Sequence, residues 1–160
     1  MMIAVGEKLP TEGLKTMGAD GPEAVDMASK LAGKKVVIFS VPGAFTPTCS
    51  AKHLPGFVDK IDEIKAKGVD EVMCLAVNDA FVMGAWGKDQ NVGDNVTMLA
   101  DGSAAYTKAL GLSLDLEAAG LGTRGQRFAI IADDGVVTHL AIEEPGAFEV
   151  SSAEAIIKAL

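Results

Sequence analysis

Residues 36–41, Val-Val-Ile-Phe-Ser-Val, form a continuous, largely apolar and β-branched run, the pattern of a strand buried on both faces. Pro42-Gly43 ends it. Beyond this break Leu54, Phe57, Val58, Ile61 and Ile64 recur at near-helical spacing, which predicts one helix over about residues 48–67, closed by Gly68 in the C′ position. Residues 71–77, Glu-Val-Met-Cys-Leu-Ala-Val, read as a second buried strand, after which Asn78-Asp79 cap a helix to about Lys88. Residues 96–100 suit a third strand, Asp101-Gly102-Ser103 opens a short helix, and a further helix is expected over 115–119. Two apolar runs at 128–132 and 136–142, joined by Asp133-Asp134-Gly135, predict a hairpin. Ser151-Ser152-Ala153-Glu154 has the pattern of a capping box and starts a last helix. The first 35 residues are Gly-rich and weakly periodic, consistent with a short hairpin or extended lead-in and a helical turn near 26–31.

Strand, helix, strand, helix, strand, then a hairpin and a closing helix is an α/β order. Parallel β-α-β units followed by an antiparallel hairpin imply a mixed central sheet with helices on both faces, the thioredoxin-like arrangement. No repeat, low-complexity stretch or linker interrupts it, so residues 1–160 are expected to make one domain.

Charge narrows the function. Fourteen basic against 22 acidic side chains leave a net charge of −8, which disfavours nucleic acid and anionic membranes as partners. No apolar run approaches the roughly 20 residues that span a bilayer, and the start lacks a basic region followed by an apolar one. A cytoplasmic location is the resulting expectation. Only two cysteines occur, Cys49 and Cys74, too few for a disulfide framework and suited to a reducing compartment.

Cys49 stands out. It closes Pro42-Gly43-Ala44-Phe45-Thr46-Pro47-Thr48-Cys49, where a buried strand gives way to a helix, and open α/β sheets present their sites there. Pro47 suits the first helical turn, whose N–H groups lack intrahelical partners. A sulfur in that turn lies at the positive end of the helix dipole, which favours thiolate over thiol. Thr46 can donate a hydroxyl hydrogen bond to the sulfur or to a bound oxygen. The bland alternative, a buried structural cysteine, fits Cys74 better, enclosed as it is by Val72-Met73 and Leu75-Ala76-Val77.

Pro42, Thr46 and Cys49 spell P-x-x-x-T-x-x-C, and with Lys52-His53-Leu54-Pro55-Gly56-Phe57, residues 77–83, Leu99-Ala100-Asp101 and Arg127-Phe128-Ala129 the chain resembles the type II (peroxiredoxin V-like) peroxiredoxins over nearly its whole length. The resemblance implies a thiol peroxidase that needs no cofactor and no metal. The Cys49 thiolate attacks a hydroperoxide and becomes a sulfenic acid. Arg127 favours the thiolate and holds a peroxide oxygen, while Pro42 shields the sulfenic acid. Arg124 is a weaker candidate for the same pocket, and Gly43, Phe45, Thr48 and His53 line it. His53, at i+4 from Cys49, is a lining residue in this reading and not an obligatory base. Relatives often carry a resolving cysteine near the C-terminus. Here Phe148-Glu149-Val150-Ser151-Ser152 has none, and Cys74, the only internal candidate, is placed in a strand interior. The expectation is a one-cysteine cycle in which glutathione, glutaredoxin or thioredoxin reduces the sulfenic acid. Of Phe45, Phe81 and Trp86, the plain reading is core packing, and the resemblance adds a homodimer contact near the site.

Other readings carry less. Gly120-Leu121-Gly122-Thr123-Arg124-Gly125 matches a dinucleotide fingerprint but follows an expected helix and leads into a strand, the reverse of what phosphate binding needs. Cys49 and His53 are too few for a zinc site. A redox sensor that binds a partner on Cys49 oxidation, and a hydrolase using Cys49 and His53, are the competing functions. The hydrolase is disfavoured because triad histidines come from elsewhere in a fold.

Overall fold

The structure, a computed structural model, describes residues 2–160. The Gly-rich lead-in forms a hairpin of β1 (Lys15–Gly18) and β2 (Gly21–Ala24), followed by a short helix, α1 (Met27–Leu31), whose N-cap Asp26 accepts from the Ser29 amide. Then come β3 (Lys35–Ser40), α2 (Leu54–Asp59), α3 (Ile61–Ala66), β4 (Glu71–Ala76), α4 (Ala80–Asp89), β5 (Thr97–Ala100) and α5 (Ala105–Leu110). The chain finishes with β6 (Ser113–Leu116), β7 (Gly122–Gly125), β8 (Phe128–Asp133), β9 (Val136–Ile142) and α6 (Ala153–Ala159). Seven strands make one sheet in the order β2-β1-β5-β4-β3-β8-β9, with β3, β4 and β5 mutually parallel and β1, β8 and β9 antiparallel to their neighbours.

The apolar runs of β3 and β4 are explained by what covers them. Val37 and Phe39 of β3 share one core with Val72 and Cys74 of β4 and with Phe57, Ile64, Trp86 and Ile156 from the helices. Val36, Ile38, Met73 and Leu75 point into a second core with Met27, Leu31, Tyr106 and Leu110. Parallel strands need both faces covered, so neither strand shows polar alternation. At the β8–β9 turn Asp134 and Gly135 both have positive φ, 51° and 79°, the two-residue geometry that matches strand twist.

The long helix expected over 48–67 is not continuous. Pro47 and Thr48 are helical, Cys49–His53 form a π turn, and α2 and α3 are separated at Lys60, where φ is −105° and ψ 14°. Pro55 explains the π turn. It has no N–H for the Ala51 carbonyl and its ring crowds that oxygen, so the backbone widens and the Leu54 amide bonds to Cys49 O instead. Nothing in the structure explains the break at Lys60.

Residues 115–119 are not a helix either. Ser113-Leu114-Asp115-Leu116 is a strand with period-two burial, it pairs with β7, and Glu117–Ala119 is a single 3₁₀ turn between them. The fingerprint-like Gly120 to Gly125 segment is therefore the turn and second strand of a small hairpin, with no helix after it. The closing helix is capped one residue later than the box pattern suggested. Ser152 accepts from the Ala155 amide, and Ser151 points elsewhere. No helix among the described residues is long and apolar enough to cross a membrane.

Candidate active site

The site forms where β3 leaves the sheet. Val41 still bonds to the Leu75 carbonyl (3.0 Å), then Pro42 starts a tight loop that the Asn78 side chain ties down by accepting from the Ala44 amide at 2.9 Å. Gly43 leaves this loop closely packed: a Cβ would stand 2.9 Å from Arg124 Nη1 and 3.1 Å from Thr46 Cγ2, and the Arg124 side chain would have to shift. Phe45 takes φ of +64°, an uncommon state for a bulky residue and one associated with functional loops. The Ser50 amide bonds to the Thr46 carbonyl at 2.9 Å, which places Cys49 in the first helical turn. Thr46 differs from expectation. Its hydroxyl donates to the Gly43 carbonyl at 2.6 Å, leaving oxygen lone pairs, not a proton, for a ligand.

Cys49 is fully buried, and Arg127, just before β8, reaches it from the strand next to β3. Arg127 Nη2 donates to Cys49 Sγ at 3.2 Å while Nη1 donates to His53 Nδ1 at 2.8 Å. A guanidinium only donates, so Nδ1 must be unprotonated and the proton sits on Nε2. That proton goes to the Ser151 carbonyl at 2.9 Å. The His53 ring is wedged among Phe39 (4.9 Å between centroids), Phe57 (5.7 Å) and Phe148 (5.0 Å). Burial, and after it the charge of Arg127, press its pKa down to about 3. His53 is thus neutral, and its one free lone pair is committed to Arg127. It cannot serve as a base toward Cys49, which removes the geometric ground for a Cys–His hydrolase.

A cleft of about 280 Å³ opens against Arg127, lined also by Pro42, Thr48, Leu114, Leu116 and Ala147. Arg124 is not at the sulfur. It donates to the carbonyls of Leu121 (2.9 Å) and Pro42 (3.4 Å) and so braces the outside of the Pro42–Gly43 loop. Cys74 lies opposite Phe39 in the sheet, fully buried, and burial pushes its thiol well up from the usual range. Trp86 is buried and donates to Ser50 Oγ at 3.0 Å, whereas Phe45 and Phe81 are 52% and 66% exposed and so do not fill the core.

Comparison with known proteins agrees with this geometry. The family model described as redoxin matches residues 4–157, and peroxiredoxin-2B of Arabidopsis thaliana is 52% identical over 99% of this chain and 98% of its own length. The chain belongs to the peroxiredoxins. Chloroplastic peroxiredoxin-2E of the same plant is also 52% identical to this peroxiredoxin, over 99% of the chain and 69% of the relative. Reduced Prx3 from Vibrio vulnificus, in a structure with hydrogen peroxide, superposes with a TM-score of 0.94 at 52% identity, covering 99% of each chain.

Three residues of this peroxiredoxin's site were not found as such from sequence. Asn78 and Ser151 were read only as parts of helix caps. Glu143 was missed outright. Ser151 holds His53 through a backbone oxygen, which no side-chain motif can report, and Glu143 is followed by a second glutamate with nothing to tell the two apart. The π turn, the one local signal near His53, is encoded by Pro55.

Proposed function

We propose that Cys49 carries the thiol-dependent peroxidase activity of this chain, with Arg127 as its charged partner. One observation carries the reading: a guanidinium 3.2 Å from the sulfur, fixed at its other nitrogen by a neutral histidine. The Cys49 thiolate attacks the outer oxygen of R–O–OH, the S–O bond forms, and the O–O bond breaks. The products are Cys49–SOH and RO⁻, which takes up a proton and leaves as an alcohol or water. Negative charge moves from sulfur to the departing oxygen, and Arg127 both donates to the sulfur and lines the cleft that would receive that oxygen. Thr46, with its own proton given to Gly43, accepts the hydrogen of the hydroperoxide and orients it. Pro42 and Thr48 wall the cleft.

Regeneration proceeds through an external thiol. One thiol displaces water from the sulfenic acid to give a mixed disulfide, and a second releases the Cys49 thiol and an external disulfide. Glutathione, with or without glutaredoxin, or thioredoxin would supply these thiols. The buried, protonated Cys74 is not the resolving group. The exposed Phe45, on the loop before Cys49, and the exposed Phe81, on α4, favour a homodimer.

The test is the second-order rate of Cys49 thiol loss with hydrogen peroxide and an alkyl hydroperoxide. Cys49→Ser should abolish peroxide consumption, Arg127→Ala should lower the rate by about 10²–10³-fold, and Cys74→Ser should leave it unchanged. Mass spectrometry after peroxide and glutathione should show one glutathione on Cys49. Wild-type peroxide consumption by Cys49→Ser would sink the assignment, and a Cys49–Cys74 disulfide would replace the one-cysteine cycle.

A further inference from the structure

Glu143 sits just past β9, at the start of the loop that leads to α6. It is 8% exposed, and its carboxylate is the most heavily used acceptor near the site. Oε2 accepts from the Glu149 amide (2.8 Å), the Ser151 amide (2.9 Å) and Ser151 Oγ (2.7 Å). Its own amide donates to the Arg127 carbonyl at 2.9 Å. The loop thus closes on itself through a single oxygen, and the residue so held, Ser151, presents the carbonyl that takes the His53 proton.

We propose that Glu143 is a positioning residue for the peroxidase reaction, acting through Ser151 and His53 to aim Arg127 at Cys49 Sγ. Four hydrogen-bond steps connect it to the sulfur: Glu143 to Ser151, Ser151 to His53, His53 to Arg127, and Arg127 to Cys49. Each has one arrangement only. The carboxylate accepts, the Ser151 carbonyl accepts, and the guanidinium donates, so His53 must carry its proton on Nε2 and face Arg127 with a lone pair. If Glu143 lets go, Ser151 is free to move and the imidazole loses the acceptor that sets both its tautomer and its tilt. Arg127 then loses the partner that fixes Nη1. Displacement of a reacting group by about 1 Å can cost on the order of 10²-fold in rate. Glu143 makes no hydrogen bond to the sulfur, and although it borders the cleft beside Arg127, its Oε2 is committed to Glu149 and Ser151, so its effect is on aim. The packing of Phe148 against His53 and over the Arg127 guanidinium (5.9 Å) puts an apolar plug in the same loop, held by the same carboxylate.

The inference rests on Cys49 as the reacting thiol. It is tested by the rate of Cys49 oxidation by hydrogen peroxide, beside nitrogen-15 spectra of the His53 ring, in the full chain. Glu143→Ala should slow oxidation by about 10–100-fold and abolish the protected Nε2–H resonance. Glu143→Gln, which keeps the accepting oxygen without the charge, should restore both to within about threefold. In a His53→Ala background Glu143→Ala should cost little more, because residues in one network are not additive. Should Glu143→Ala not fold, Glu143→Asp replaces it; the shortened arm should slow oxidation and shift the His53 resonances together. Wild-type rates in the Ala or Asp protein, rate loss with an unchanged His53 spectrum, or the same loss without His53 would each overturn the inference. A wild-type protein no faster than a free thiol would instead overturn the Cys49 assignment, so the two failures are distinct.

Discussion

At the scale of single residues, the site depends on protons being where the hydrogen bonds require them. His53 is the clearest case, since folding holds it neutral while the unfolded chain would titrate it near 6.5. Between pH 6.5 and about 3 the unfolded state therefore binds the extra proton, and stability rises with pH across that window. Its contribution is complete above 6.5 and declines by about 1.4 kcal/mol for each pH unit below. Urea denaturation should show a steeper loss between pH 6.5 and 4.5 in the wild type than in His53→Asn. Equal slopes would mean that His53 titrates normally. The same neutrality means that the pH profile of Cys49 oxidation should carry no inflection from His53 above pH 5. Among residues, the motif-bearing Pro42, Thr46 and Cys49 were legible because they sit within eight positions of one another. Arg127 became legible through resemblance, and His53 through its position on the Cys49 helix. The Ser151 carbonyl lies 98 positions from His53, where spacing arguments have no reach.

Secondary-structure elements were legible where burial dictates a pattern. β3 and β4 are apolar throughout because both faces are covered, and the β8–β9 hairpin has its Asp-Gly turn. β6 was not, because Leu114 and Leu116 alternate for only four residues, too few to separate a period of two from the helical formers that follow. The π turn was also hidden. The helix expected over 48–67 already makes Pro55 an interior proline, but its sequence alone does not tell a kink or a break from a widened turn. That turn rotates His53 relative to Cys49, so its removal is informative. Pro55→Ala should let an ordinary α register run from Pro47 to Asp59, leaving thermal stability equal or higher while Cys49 oxidation slows on the order of tenfold. A variant with faster oxidation, or one with unchanged rate and geometry, would show that the π turn has no part in aligning the site. Calorimetry beside the oxidation rate gives both readings.

For the molecule as a whole, the mixed sheet was legible and its outer surface was not. Phe45 and Phe81 were read plainly as core residues, with a homodimer contact as what the resemblance implied, and the structure leaves both largely exposed, on the loop before Cys49 and on α4. Exposed apolar side chains mark an association surface where they join in one patch, and a dimer contact is the reading that sedimentation tests. Sedimentation of the wild type should therefore give a dimer, and Phe81→Glu should shift it toward monomer by placing a charge in the contact. A wild-type monomer at the same concentration would remove the dimer from the picture. The cores on either side of the sheet have another consequence. Cys49 and Cys74 belong to the same one, and burial, with a thiolate at Cys49 after it, holds Cys74 protonated.

The contact between Trp86 and Ser50 gives the chain an optical property. The protein has one tryptophan, its indole is shielded from water, and its N–H ends on the hydroxyl of the residue adjoining the reacting sulfur. Indole emission responds to the polarity and hydrogen bonding of its surroundings. Any rearrangement that adding an oxygen to Cys49 forces on Ser50 is therefore written into the fluorescence of a single chromophore. The molecule is its own reporter, and its redox cycle can be followed in stopped flow without a label.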